Sequence, residues 1–148
     1  MLRVYGDPDV MRFSLTGACT AEGSLERLRG QISHQEQHGF SKWGVCERVS
    51  GALIGDCGIQ LLESGPDVEL GFHLRRSVWG RGYATEAARA CLDASFAGLG
   101  LDEVIAIVAP GNAASVRVLE KIGMQPAGRR DALGRTWDLF TAVRYRAR

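Results

Sequence analysis

The chain lacks several features that mark large classes of protein. It has no run of about 18 apolar residues, so neither a membrane-spanning helix nor a membrane partner is predicted. Neither sign of charge dominates, since 18 basic residues stand against 17 acidic ones, and nucleic acid is therefore not expected as a partner. A small basic cluster, Arg144, Arg146 and Arg148, is interpreted as a solvated strand end.

Paired cysteines and targeting signals are also missing. Cys19, Cys46, Cys57 and Cys91 form no C-x-x-C pair, and no basic-then-apolar signal segment opens the sequence. Free thiols in a reducing cytoplasm are therefore expected. Repeats, low-complexity tracts and linker-like shifts in composition are absent too, so residues 1–148 are predicted to form a single domain.

The first half of the chain predicts helices followed by an antiparallel meander. A short helical piece is expected at residues 10–13, and Thr20 is placed as the N-cap of a helix that runs to about His38. Within that helix Leu25, Leu28 and Ile32 recur at helical spacing and predict its buried stripe. Alternating segments bounded by glycine-containing turns then predict strands at residues 42–49, 53–62 and 68–74.

The second half alternates helices with strands. Small residues from Ala84 to Phe96 follow the helical period, and the apolar run at 104–108 is typical of a strand buried on both faces. Asn112 is expected to cap a helix that ends near Gly123, and residues 128–145 predict a hairpin. The order of elements predicts the α/β (α+β) class, with a mixed, mostly antiparallel sheet flanked by helices.

A glycine-rich turn, Trp79-Gly80-Arg81-Gly82-Tyr83-Ala84-Thr85, joins the strand at 68–74 to the small-residue helix. Its glycines let the backbone approach a ligand, and the unpaired N–H groups that open a helix suit a phosphate. A P-loop would need Lys-Ser or Lys-Thr after the second glycine, and a dinucleotide-binding turn would need a third glycine where Thr85 stands. The glycines alone do not distinguish a pyrophosphate site from a simple chain reversal.

Four collinear segments resemble the GNAT acetyltransferases, and more narrowly their RimJ/RimL-like branch. The central one is Glu69-Leu70-Gly71-Phe72-His73-Leu74 followed by the glycine-rich turn. The others are Asp7-Pro8-Asp9-Val10-Met11-Arg12, Asn112-Ala113-Ala114-Ser115-Val116 continuing to Met124, and Gly134-Arg135-Thr136-Trp137-Asp138-Leu139. The resemblance implies the GNAT fold and transfer of an acetyl group from acetyl-CoA to a primary amine, either on a small molecule or at a protein N-terminus.

The resemblance also implies where acetyl-CoA (coenzyme A) binds. Its pantetheine arm would bond to the strand backbone at Phe72, His73 and Leu74, and Asn112 would bind the same arm. Its pyrophosphate would lie on the turn made of Trp79, Gly80, Arg81, Gly82, Tyr83, Ala84 and Thr85. The Arg81 side chain either contacts a phosphate or faces solvent, and the two are equally favoured. Trp79 stands where the family usually has Gln or Arg, a departure that the RimJ/RimL-like branch tolerates.

Catalytic roles follow from the same comparison. Strand alternation places Glu69 and His73 on the same face. Glu69 lies where many family members have a general base, so the resemblance implies that Glu69 is the base and that His73 could replace it. Many relatives reprotonate the leaving thiolate with a tyrosine, but Leu119 occupies that place. In the RimJ/RimL-like branch the serine of an N-x-x-S motif has this role, and the resemblance therefore implies it for Ser115. A backbone N–H near residues 72–74 would stabilise the oxyanion. No covalent intermediate is expected.

The sequence leaves the first strand, the catalytic competence and the oligomeric state open. Because the sequence starts where the family usually has a complete first strand, that edge strand is either missing or truncated, and the acceptor is left unidentified. A catalytically silent acyl-CoA-binding domain is the second functional hypothesis, and pairing through the C-terminal strands into a homodimer is plausible for the family. His34 and His38 lie one turn apart, but the glutamate spacing does not suit a zinc protease, and a polar helix face without metal is expected.

Overall fold

A computed structural model describes residues 1–145, so Arg146 and Arg148 of the basic cluster lie outside the described residues. Within that range the chain forms four α-helices and six β-strands. The helices are α1 (Leu2–Tyr5), α2 (Ala21–His38), α3 (Tyr83–Ala97) and α4 (Ala113–Lys121). The strands are β1 (Lys42–Cys46), β2 (Leu53–Leu61), β3 (Val68–Leu74), β4 (Glu103–Val108), β5 (Gln125–Ala132) and β6 (Arg135–Val143).

The six strands form one sheet in the order β1-β2-β3-β4-β6-β5. All neighbouring strands are antiparallel except β3 and β4, which run parallel and pair only at Glu69 and Ile105. The predicted class, a mixed and mostly antiparallel sheet flanked by helices, is confirmed, as is the meander β1-β2-β3. Residues 1–41 contain helices and turns and no strand.

The sheet has two faces with different chemistry. On the face that we call the core face, Val68 and Leu70 of β3 pack in one buried cluster with Ala88 and Leu92 of α3 and with Leu119 of α4. The opposite side, which we call the polar face, carries the intervening residues of β3 and lies under α1 and α2. The two helices α3 and α4 therefore share one face, and α1 and α2 cover the other.

The helix boundaries agree with the predicted caps. The Thr20 hydroxyl accepts from Gly23 N–H at 3.1 Å, and the Asn112 side chain accepts from Ser115 N–H at 3.3 Å. Beyond α4, Met124 is 1% exposed and donates its N–H to Leu119 O. These contacts confirm the ends of α2 and α4 that the capping residues predict.

The buried stripe predicted for α2 is wrong for two of its three residues, and only Leu28 packs, partly buried, against the cluster of Val4, Tyr5 and Met11. Leu25 and Ile32 are 52% and 60% exposed, whereas Ser24 and Gln31 are buried. The helix turns this polar pair inward because Gln31 donates hydrogen bonds to buried oxygens on α1 and β2. Residues 10–13 also differ from the prediction, since they form turns, and the short helix lies earlier, at Leu2–Tyr5.

His34 has a structural role in the fold. Its Nε2 accepts from Leu61 N–H at 3.1 Å, so Nδ1 carries the proton and donates to Phe40 O at 2.7 Å. Both ring nitrogens are used, and the imidazole joins α2 to β2. Within residues 1–145 no three His, Cys, Asp or Glu side chains are grouped as metal ligands. No helix in this range is both long and apolar enough to cross a bilayer.

Candidate active site

A cleft of about 910 Å³ opens where β3 and β4 separate. It is lined on the core face by the first turns of α3 and α4 and on the polar face by the loop between α1 and α2. Arg75 N–H bonds to Ile54 O of β2, and successive N–H groups of a strand point to opposite sides. The N–H groups of Phe72 and Leu74 therefore point away from β2, toward the gap. The cleft passes through the sheet and connects its two faces.

The structure brings nearly all of the predicted site residues together around this cleft. Those that line it are Glu69, Phe72, His73, Leu74, Trp79, Gly80, Gly82, Tyr83, Ala84, Thr85, Asn112 and Ser115. They come from three separate segments of the chain, and the parallel arrangement of β3 and β4 explains why they converge. Both strands end at the same edge, so the helices that follow them begin side by side.

The glycine-rich turn is built to leave backbone N–H groups free. Gly80 and Gly82 have φ of 73° and 83°, a left-handed conformation that favours glycine. The first main-chain bond of α3 runs from Glu86 N–H to Gly82 O. The N–H groups of Tyr83, Ala84 and Thr85 therefore have no partner within the helix, at the positive end of its dipole. This geometry suits an anion with several oxygens, such as a pyrophosphate.

The side chains of Trp79 and Arg81 both stabilise the turn. The Trp79 indole N–H donates to Leu74 O at 2.8 Å, which fixes the chain reversal at the end of β3. The Arg81 side chain does not line the cleft. Its Nη2 lies 3.2 Å from Oε1 of Glu47, and its guanidinium packs over the Tyr83 ring. A contact of this side chain with a phosphate stays a prediction.

Glu47 connects the β1–β2 turn to the start of α3. Its carboxylate accepts from the Tyr83 hydroxyl at 2.6 Å and from Ser50 at 2.6 Å, in addition to Arg81. The hydrogen bond from Ser50, followed by that from Tyr83, lowers the pKa of Glu47. An ionised Glu47 thus holds the side chain of the residue that begins α3.

A buried network lies on the polar face beside His73. Asp56 is 2% exposed, and its Oδ1 is 3.0 Å from His73 Nδ1. Its Oδ2 accepts from the Tyr5 hydroxyl and from the Gln31 amide, the latter at 2.9 Å. Because a carboxylate only accepts, Nδ1 of His73 is the donor and Nε2 keeps its lone pair. The imidazole is therefore fixed in one tautomer at the wall of the cleft.

Electrostatics favour a neutral His73 against an ionised Asp56. Burial lowers the pKa of His73, although the hydrogen bond and charge of Asp56 act in the opposite direction. Burial raises the pKa of Asp56, but the hydrogen bond from His73, the charge of Lys42 and the hydrogen bond from Tyr5 outweigh it and hold that pKa well below its usual range. A neutral imidazole with a free Nε2 is the form that accepts a proton.

Asp56 and Tyr5 are two residues that sequence reasoning missed. Asp56 lies within an apolar strand, but in the β2–β3 hairpin its partner across the ladder is His73. The sequence does contain a signal for this pair. If residues are paired outward from the turn between β2 and β3, Asp56 falls opposite His73, and opposed residues share a face of the sheet. Tyr5 has no comparable signal, because its position depends on how α1 packs on the sheet.

The start of α4 forms the other wall of the cleft. Asn112 uses its side-chain oxygen for the helix cap, and Ser115 follows within the first turn. Leu119 is 1% exposed and belongs to the core cluster. Arg117 and Lys121 also line the cleft and add positive charge to its core-face end, a contribution that the sequence pattern did not indicate.

Comparisons with known proteins agree with this architecture. Residues 1–125 match the model of the acetyltransferase (GNAT) domain. The uncharacterized protein YkkB of Bacillus subtilis is 38% identical over 123 residues, which cover 82% of this chain and 71% of that protein. A crystal structure of a GNAT-family acetyltransferase from Bacillus anthracis superposes with a TM-score of 0.79 at 26% identity, covering 95% of this chain and 84% of that one.

A second solved structure also resembles this chain. Mycobacterium smegmatis RimJ in complex with CoA-disulfide shares the fold with a TM-score of 0.66 at 24% identity. The match covers 82% of this chain and 61% of RimJ. With the family match over residues 1–125, the fold and the convergence of its motif residues on one cleft, these findings show that the chain belongs to the GNAT acetyltransferase family.

Proposed function

We propose that this protein transfers an acetyl group from acetyl-CoA to a primary amine and belongs to the RimJ/RimL-like branch of the family. The observation that carries the proposal is the cleft through the sheet. It places anion-binding N–H groups of α3 at one end and the His73–Asp56 pair on the opposite face. A cofactor that enters from the core face and an amine that enters from the polar face would meet between β3 and β4.

The residues present fit coenzyme A. The N–H groups of Tyr83, Ala84 and Thr85 would hold its pyrophosphate, and Arg117 and Lys121 add charge beside it. The outward N–H groups of Phe72 and Leu74 offer partners for the amides of the pantetheine arm. The chemistry that acetyl-CoA supplies when bound is an acetyl thioester, which is an electrophile for amines.

The amine must lose its proton before it attacks, and we assign this step to His73. Three observations support the assignment: its Nδ1 is held by Asp56 at 3.0 Å, burial lowers its pKa, and its ring lines the cleft. Glu69, the base that the sequence favours, lines the same cleft on the same face. Its role here is to attract the incoming ammonium, and the His73 and Glu69 variants described below separate the two assignments.

Two further groups complete the proposed mechanism. The N–H of Phe72 or Leu74, directed into the gap, would stabilise the developing oxyanion. Ser115 lines the opposite wall and would return a proton to the leaving sulfur, since Leu119 has no proton to give. Each of these groups belongs to a strand or helix rather than to a loop, so their spacing is set by the fold.

The test combines cofactor binding with turnover. Calorimetry should detect CoA binding, and thiol release from acetyl-CoA should depend on an added amine or N-terminal peptide. Binding without release for any amine would favour the silent acyl-CoA-binding domain. No binding of CoA would refute both functions.

A further inference from the structure

We propose that the acceptor amine carries a carboxylate, and that Lys42 and Arg27 bind this anion on the polar face of the cleft. The inference rests on the proposed function and names the substrate class of the same site. Its basis is the charge of the part of the cleft that lies on the polar face, which we call the acceptor end. Lys42 and Arg27 both line the cleft there, and within residues 1–145 neither lies within 4 Å of a carboxylate.

Two glycines allow the Lys42 side chain to reach the site. Lys42 pairs with Gly58 of β2, and Gly58 pairs with Gly71 of β3, so the three residues form one row across the sheet. A Cβ at Gly71 would be 2.6 Å from Lys42 Nζ and 3.9 Å from a Glu69 oxygen. The ammonium therefore occupies the space that a side chain at Gly71 would take, between Glu69 and His73.

Arg27 reaches the same region from α2. Its guanidinium lies 4.8 Å from the ring centre of Tyr5, whose hydroxyl bonds to Asp56. Both cations act on the titratable groups of this face, since the charges of Lys42 and Arg27 help to lower the pKa of His73 after the larger effect of burial. The acceptor end thus joins a proton acceptor, one free carboxylate and two cations that face the cleft.

These cations are separate from the phosphate site. The free N–H groups of α3 lie on the core face, beyond the end of β3, whereas Lys42 lies at the level of Gly71 on the opposite face. The sheet stands between them. The carboxylates of Asp56 and Glu69 balance the charge of the two cations, and Asp56 is already bonded to Tyr5, Gln31 and His73. Among the described residues Lys42 and Arg27 therefore have no anion bonded to them, and an amine with its own carboxylate would supply one while Glu69 attracts its ammonium group. The adjacent Glu69 disfavours an anion of higher charge, such as a phosphate.

Two sources of such an acceptor share this chemistry: a free amino acid, and a peptide whose N-terminal residues carry an acidic side chain. The first arm of the test compares α-amino acids with their carboxamides in the thiol-release assay. The second compares peptides that begin with Asp or Glu with those that begin with Asn or Gln. We expect the carboxylate form to be preferred at least about tenfold in kcat/KM in one arm, which is typical of a charge-assisted hydrogen bond.

Variants then test whether the named residues cause the preference. Lys42→Met and Arg27→Met should each remove most of the discrimination by raising KM for the carboxylate form. Arg29→Met, an exposed position of α2 outside the cleft, is the matched control and should keep it. Binding gives an independent readout: in the presence of CoA, which cannot react, the carboxylate form should raise the melting temperature more than the carboxamide.

Equal use of both forms in both arms, with CoA binding and turnover intact, would overturn this inference and leave the proposed function standing. Discrimination that survives in Lys42→Met and in Arg27→Met would also overturn it, because the anion would then bind elsewhere. Failure to bind CoA would overturn the proposed function together with the inference.

Discussion

The substitution Gly82→Ala separates the role of this glycine in folding from its role in binding. Gly82 precedes α3 with φ 83° and ψ 0°, and a Cβ built there meets no protein atom within 4 Å. Gly39 ends α2 with φ 80° and ψ 2°, and its Cβ is equally unobstructed. Both glycines are exposed, but only Gly82 lines the cleft. Gly39→Ala is therefore a control matched in conformation and surroundings.

The two variants should lose the same stability. An alanine held in the left-handed backbone conformation lowers the free energy of unfolding by roughly 1–2 kcal/mol, and the lower entropy of the unfolded chain partly offsets this loss. For a chain of this length, the melting temperature of each variant should fall by about 2–4 °C for every kcal/mol of unfolding free energy that is lost. The effect on the cofactor should differ, because a methyl group at Gly82 occupies the space through which phosphate approaches the N–H groups of α3. Loss of one charge-assisted hydrogen bond, about 1.5–3 kcal/mol, corresponds to CoA binding about tenfold to about a hundredfold weaker.

The assay is calorimetric titration of CoA into wild type, Gly82→Ala and Gly39→Ala, with thermal unfolding of each. Equal CoA affinity in all three proteins would show that phosphate does not approach Gly82 and would refute the cofactor site. Equal loss of affinity in both variants would mean that stability, and not contact, controls binding.

Further predictions concern the polar face and α4. His73→Asn should lower kcat at least about a hundredfold while CoA affinity is retained. Glu69→Gln should mainly raise KM for the amine. A large loss of kcat in Glu69→Gln, with only a raised KM in His73→Asn, would assign the base to Glu69. Asp56→Asn should lower kcat/KM by about 10–100-fold, because the amide can donate to Nδ1 and so stabilise the tautomer whose Nε2 carries the proton; an unchanged rate would refute the pairing. The pKa of His73 is lowered in the folded protein, so the wild-type rate should still be constant at about pH 6.5, the usual histidine pKa, and should fall only at lower pH. The stability that comes from the neutral imidazole should fall as the pH drops below the unfolded-state pKa of about 6.5. Asn112→Ala should cost about 1 kcal/mol of stability through the lost cap, measured by denaturant unfolding, and an intact free energy of unfolding would show that the cap contributes nothing.

Most of the fold follows from local patterns in the sequence. The strand Val68–Leu74 has the bounds that its alternation predicts, and the caps at Thr20 and Asn112 mark the helix starts. These features depend on residues close in sequence, where turn chemistry and periodicity act directly. The cleft residues have a different source, since the resemblance to the GNAT family assigns them, and the parallel ends of β3 and β4 explain why they lie together.

Features that depend on packing were not predictable in this way. Periodicity selected Leu25 and Ile32 as the buried face of α2, whereas Gln31 is buried because Tyr5 and Asp56 satisfy its amide. The side chain of Arg81 likewise turns toward Glu47, a residue 34 positions earlier in the chain. Hydrogen bonds between distant residues override local hydrophobicity here, and a single sequence gives no measure of them.

The single pair between Glu69 and Ile105 has a consequence for how the protein opens. Main-chain pairing extends over several residues between all neighbouring strands of β1-β2-β3 and of β4-β6-β5, with a register shift in the β1-β2 pair and in the β5-β6 pair, but the two sets of strands meet at one residue pair. We expect amide hydrogen exchange to divide the sheet into two cooperative units, each of which opens with its own free energy. A ligand bonded to both sides of the gap would merge them, so its binding should appear as a rise in protection far from the cleft, out to the edge strands β1 and β5.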